Sequence, residues 1–218
     1  MINTQDQEEL FRLIADYLDK TLECLAIGGT AMMLSGSKDA TKDIDLVFIN
    51  EKDRNDFVAA AKSLGYESME SSMLYGKKEN QPVVLKRLEH RFDLFTREII
   101  SFTFSAGMEK RAVSTHEFGS NLILKVADPH DIILLKSATD RVKDKDDIRS
   151  ILQNSKIDWD VIVEESGMQI KLGNSRSVFD LLGSFLVLKN AGVDIPESVF
   201  ERIWNSIFPD KQRQECKP

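Results

Sequence analysis

Between Leu25 and Phe48 the chain reads LAIGGTAMMLSGSKDATKDIDLVF, and this stretch constrains the fold more than any other. An apolar run ends in Gly28-Gly29, a short helical segment and a polar loop follow, and a second apolar run carries Asp43 and Asp45. Paired glycines where a strand gives way to a helix let backbone N–H groups approach a phosphate, which a helix N-terminus also favours. Strand residues alternate sides, so Asp43 and Asp45 share one face while Ile44 and Leu46 share the other. Two neighbouring carboxylates repel each other unless a cation lies between them. A phosphate cradle facing a divalent-metal site is equipment for phosphoryl or nucleotidyl transfer.

Gly28-Gly29, thirteen further residues (30–42) and then Asp43-Ile44-Asp45 between apolar neighbours resembles the signature of the DNA polymerase beta-like nucleotidyltransferase superfamily. The resemblance implies an α+β fold, a mixed sheet with helices on one face, followed by a C-terminal helical region. It further implies that Asp43 and Asp45 bind two magnesium ions, with manganese as the alternative. Gly28, Gly29 and Thr30 would hold the phosphates of an NTP. Many members carry serine at the second motif position; here it is Gly29, and Thr30 is the hydroxyl that could replace it.

Arg91-Phe92-Asp93-Leu94-Phe95 alternates charged and apolar residues, which predicts a half-buried strand with Asp93 on the side opposite Phe92 and Leu94. The superfamily places a third carboxylate on a neighbouring strand. The resemblance therefore makes Asp93 the third catalytic and metal-binding residue, which also helps deprotonate the attacking hydroxyl. The plainer reading is an ordinary exposed strand aspartate.

Around this core the pattern is mostly helical. Residues 4–20 read as an opening helix with a capping box at Thr4 and Gln7 and a buried stripe of Leu10, Phe11, Ile14 and Leu18. Asn50 is the expected N-cap of a helix to Leu64 that buries Phe57, Ala60 and Ala61 and stops at Gly65. Residues 66–75 and 82–88 read as strands about a polar turn, and 111–116 with 122–127 as a strand pair around Gly119. Residues 99–111 carry no decisive periodicity.

Asp128-Pro129 is an N-cap followed by proline at the first helical position, so the division expected is a catalytic core over 1–127 and a helical region over 128–218. A proline-led helix carrying Lys136, a charged turn from Asp140, and then Arg141, Lys143, Asp144 and Asp147 resembles the minimal and abortive-infection nucleotidyltransferases of toxin–antitoxin pairs. That resemblance places Lys136, Arg141 and Lys143 near the triphosphate and implies a cognate antitoxin or toxin as partner. The alternative for such Lys/Asp alternation is a solvated, salt-bridged helix face. Three more helices follow: from Asp158 to Gly173, over 177–191, and from Pro196 with Val199, Phe200, Ile203, Trp204 and Ile207 buried. Residues 212–218 are polar and expected to fray.

Composition narrows the partners. A net charge of −7 and a pI near 5.1 argue against a broad basic surface for duplex nucleic acid, though not against a local pocket for an NTP or one RNA end. No apolar run reaches membrane-spanning length and residues 1–20 lack a signal-peptide pattern, so the cytoplasm is the expected compartment. Cys24 and Cys216 suggest no disulfide framework, and His90, His116 and His130 have no metal-ligand spacing. The expected reaction transfers a nucleoside monophosphate from an NTP to a hydroxyl of a protein, an RNA end or a small molecule. A catalytically silent nucleotide-binding or antitoxin-like partner of the same fold is the alternative, and an adaptor acting through the C-terminal helices is a further one.

Overall fold

The computed structural model describes residues 1–137, 139 and 141–209. In chain order the elements are β1 (Ile2–Asn3), α1 (Thr4–Ala15), β2 (Leu22–Ala26), α2 (Gly28–Leu34), β3 (Ala40–Thr41), β4 (Ile44–Val47) and α3 (Glu51–Ser63). Then come β5 (Glu67–Met69), α4 (Ser72–Tyr75), β6 (Val83–Arg87), β7 (His90–Phe95), β8 (Glu98–Ile99), β9 (Phe102–Thr103), α5 (Ala106–Lys110), β10 (Ser114–Phe118) and β11 (Leu122–Val126). Helices α6 (Pro129–Ser137), α7 (Val142–Asn154), α8 (Trp159–Lys171), α9 (Ser175–Asn190) and α10 (Glu197–Ile207) complete the described chain. The fold is α+β with a C-terminal helical region, and it divides into two units: Met1–Ile100 with Met108–Asp128, and Ser101–Gly107 with the chain from Pro129.

The first unit is built on a seven-stranded mixed sheet in the order β10-β11-β2-β4-β7-β6-β5. β11 runs parallel to β2 and β4 parallel to β7, while the other neighbours are antiparallel. Helix α3 begins where the sequence expected, with the Asn50 side chain accepting the Asp53 amide. Its Phe57 ring packs on Phe48 and Phe92, and Tyr66 meets Phe92 from beyond the helix. Burying each of these rings contributes about 1.5–3 kcal/mol.

Helix α1 differs from expectation at both ends. Asn3, not Thr4, is the N-cap, its side chain accepting from the Asp6 amide, and the helix ends at Ala15 rather than near Lys20. The early stop lets the chain turn back into β2, with Leu22 N–H donating to the Asn121 carbonyl. The 66–75 segment is likewise not one strand: only Glu67–Met69 pairs with β6, and Ser72–Tyr75 forms a helical turn. β7 is not half-buried. It lies between β4 and β6, and Phe92, Asp93 and Leu94 are all buried, so both of its faces are covered.

The second unit is helical. α8 contacts α10 and α9, and α6 packs on α7. The Asp158 side chain caps α8 by accepting the Asp160 amide, and the Asp158 N–H donates to His130 Nε2 at 2.8 Å. The segment 101–107 is tied in by Gln169, whose Nε2 donates to the Thr103 carbonyl at 2.8 Å while its Oε1 accepts the Thr103 amide at 3.1 Å. On α10 only Val199 and Ile203 are fully buried. Trp204 is 39% exposed, because it forms the rim of an apolar groove of about 500 Å³ with Phe179, Leu182, Leu186 and Phe200. Among the described residues no helix is long and apolar enough to cross a membrane. The expectations for Asp140 and for residues 212–218 lie outside the described residues.

Candidate active site

The site begins where β2 runs into α2. Leu25 and Ala26 pair with Val47 and Leu46 of β4, and the Ile27 N–H donates to the Asp45 carbonyl at 3.1 Å. This pairing carries Gly28 directly onto Asp45. Gly28 has φ +54°, and a Cβ there would sit 2.7 Å from Asp45 Oδ2, so both backbone conformation and space demand glycine. Ile27 at the N-cap of α2 brings no polar side chain to the first-turn amides, in contrast to Asn3 and Asn50. A Cβ on Gly29 would meet Thr41 Oγ1 at 2.5 Å, which makes this second glycine a packing requirement of α2 against β3.

Thr30 lies differently from expectation. It is fully buried and its hydroxyl accepts the Asp45 amide at 2.9 Å, so it fixes the backbone that carries a carboxylate. The expected phosphate contact rests on the hydroxyl alone, whereas α2 turns that hydroxyl inward to β4.

The parallel register of β4 and β7 sets Asp45 opposite Asp93 and Ile44 opposite Phe92, which brings Asp43 level with Arg91. Like charges directly opposite are destabilising, and a cation lies beside one of this pair, Asp93, and also beside Asp43. Arg91 Nη2 lies 2.6 Å from Asp43 Oδ2 and 2.9 Å from Asp93 Oδ2. Tyr75, at the end of α4, donates its hydroxyl to the same Asp93 oxygen at 2.7 Å. Asp93 is only 1% exposed, and its other oxygen, Oδ1, is buried with no hydrogen-bond partner among the described residues, as is Arg91 Nε.

Burial pushes the Asp93 pKa above the ordinary carboxylate value, against the opposing pull of Arg91 and the Tyr75 hydrogen bond. Burial and the nearby charges of Asp93 and Asp45 also raise the Tyr75 phenol, which stays protonated and donates. For Arg91, burial disfavours the charge, but Asp93 and Asp43 outweigh it and its pKa rises.

Arg91 and Tyr75 are the residues that sequence reasoning missed. Arg91 had a signal, since it lies two residues before Asp93 and shares its strand face. Tyr75 had none, because only the fold brings α4 over β7. A cavity of about 330 Å³ opens beside this cluster, lined by Asp43, Arg91, Lys42, Lys86, Met69 and Leu74 among others.

Among the described residues no group of three or more His, Cys, Asp or Glu side chains is arranged to hold a metal ion. Asp45 lies against the Gly28 turn, and Asp43, just before β4 and two residues away, alternates to the same side, so these two are the pair suited to a hard divalent cation through carboxylate oxygens. Asp93 is turned to Arg91 and Tyr75.

The three basic candidates belong to the second unit. Lys136 is buried, with Nζ 3.2 Å from Asp144 Oδ1 and 2.6 Å from Asp147 Oδ2, so its charge is engaged inside that unit. Arg141 precedes α7 and places Nε 2.7 Å from Asp144 Oδ2. Lys143 is exposed on the first turn of α7. Lys136 and Arg141, with a hydrogen bond from Thr139, hold Asp144 below the ordinary carboxylate value even though burial works the other way.

The carboxylates and glycines all fall inside residues 6–185, which match the model of a family described as nucleotidyltransferase of unknown function (DUF6036). The chain belongs to that family. As a nucleotidyltransferase it has NTPs as its expected donors. Comparison with curated proteins finds no significant match.

Proposed function

We propose that this nucleotidyltransferase moves a nucleoside monophosphate from an NTP to an acceptor hydroxyl, with pyrophosphate leaving, in a divalent-metal-dependent reaction. The observation that carries the reading is the contact of Gly28 with Asp45, where only a glycine leaves room beside a carboxylate. A phosphate approaching the Gly28 backbone thereby comes up against the residues suited to hold its metal.

Asp43 and Asp45 hold magnesium, with manganese as the alternative, and the bound ion supplies charge neutralisation on the triphosphate. Thr30 keeps Asp45 in place through its backbone. Gly28 gives the phosphates a close approach to the first-turn amides of α2. Asp93 takes the proton of the acceptor hydroxyl at Oδ1, the oxygen that neither Arg91 nor Tyr75 uses. Its raised pKa makes it a better proton acceptor than a surface carboxylate. The acceptor oxygen then bonds to the α-phosphorus as the bond to pyrophosphate breaks.

We favour a protein side chain or an RNA end as acceptor. A toxin–antitoxin setting with a cognate partner protein rests on the resemblance of residues 129–148. The test is incubation with each α-³²P-labelled NTP and Mg²⁺, alone and with cell extract, beside Asp45→Asn protein. Label moving to protein, RNA or a small molecule with wild type only supports the reading and names the acceptor class. No transfer under any condition, with NTP binding intact, turns it to a silent binder.

A further inference from the structure

Arg91 is the feature of this site that a two-ion mechanism leaves unexplained. Sites with two metals hold them about 3.5–4 Å apart and bridge them with shared carboxylates. Here one guanidinium nitrogen is already within 2.9 Å of an oxygen from each of two acids, Asp43 and Asp93. The Arg91 side chain is 20% exposed and that of Asp93 1%, so this is a partly desolvated pairing in which charges are weakly screened. A divalent ion brought between the same two acids would meet a resident cation that never loses its proton.

We propose that Arg91 takes the place of a second divalent ion, so that the chain holds one metal at Asp43 and Asp45 and uses a guanidinium as the fixed positive charge between Asp43 and Asp93. The inference rests on the transfer reaction proposed above. The rest of the cluster fits it. Asp93 uses Oδ2 for both Arg91 and Tyr75 and keeps only the buried Oδ1, an arrangement suited to receiving a proton and poor for bridging two ions. Arg91 and Asp93 are two residues apart on β7, and the register with β4 brings Asp43 level with Arg91, so the fold itself builds the pairing. Arg91 acts as a positioning residue: it orients Asp93 and pulls against the effect of burial on that carboxyl, and no bond to it forms or breaks.

The test is the stoichiometry of Mn²⁺ binding to the full chain, read from loss of the free-ion electron paramagnetic resonance signal. Wild type is expected to bind one tight Mn²⁺ per chain, and Asp45→Asn none. Arg91→Met and Arg91→Gln, which remove the charge while keeping most of the side chain, are expected to bind two. Arg91→Lys, which keeps the charge, stays at one. Two tight ions on wild type overturn the inference while leaving the transfer reading intact, whether or not the variants fold. A count unchanged in folded Arg91→Met and Arg91→Gln also overturns it. No tight ion on wild type removes both the inference and the metal-dependent reading beneath it.

Discussion

Thr30 shows how the site is held at the scale of single residues. Its hydroxyl is the acceptor for the Asp45 amide in a fully buried place, so Thr30→Val removes that acceptor and should cost about 1–3 kcal/mol. Chemical denaturation checks the cost, and transfer should fall with it because Asp45 loses its anchor. Gly28→Ala should abolish transfer while the chain stays folded, since the added methyl lands on the Asp45 carboxylate. Normal turnover in that variant would count against the Gly28–Asp45 contact as the core of the site. Tyr75→Phe tests the proton acceptor. The Tyr75 hydrogen bond favours the ionised form of Asp93, so its loss raises that pKa further. The acid limb of kcat/KM should move to higher pH in Tyr75→Phe, and an unmoved limb would separate Asp93 from the proton transfer. The approach of Gly28 to Asp45 was legible in the sequence because its parts are local: a turn that needs glycine and a strand that alternates with period two. The Arg91–Asp43 pair and the Tyr75–Asp93 bond were not, because they depend on which strands and turns meet across 18 or more residues of chain.

Whole elements were readable where local chemistry ends them. Asn50 and Asp158 cap their helices by the hydrogen bonds that the residue types predict, and Gly119, at φ +57°, turns β10 into β11. The 66–75 segment failed because its β-formers are outvoted by a short turn of helix that packs by tertiary contact. α10 was misread at Trp204 for a related reason: an apolar helical face is legible, but whether anything covers it is not. The α6–α7 pair has its own test. Lys136 sits between two buried carboxylates, and breaking such a pair from one side leaves uncompensated charge. Lys136→Met should lose about 3–5 kcal/mol by thermal or urea unfolding. Arg141→Ala, whose side chain is 70% exposed, should lose far less. Equal losses would mean that the Lys136 network is not what holds these helices together.

At the scale of the whole molecule, the same network ties stability to pH. Asp144 in the folded chain lies below its ordinary value of 3.8, so the unfolded chain binds the proton more readily in the window below that value. The stabilisation is complete above pH 3.8 and is lost as pH falls through the folded value. Asp144→Asn should therefore flatten the fall in stability on the acid side of pH 4 relative to wild type, as followed by circular dichroism in urea at a series of pH values. An unchanged slope would assign acid sensitivity to other carboxylates.

The placement of the aromatic residues has an optical consequence. The chain has two tryptophans, Trp159 and Trp204, and both lie in the helical unit, on α8 and α10. The sheet unit that carries the carboxylates holds tyrosines and phenylalanines but no indole. Tryptophan emission is therefore a built-in lamp for one half of the molecule and leaves the other dark. A change in that emission on adding NTP reports an event felt in the helices, and a blue shift from the half-exposed Trp204 reports the apolar groove being covered.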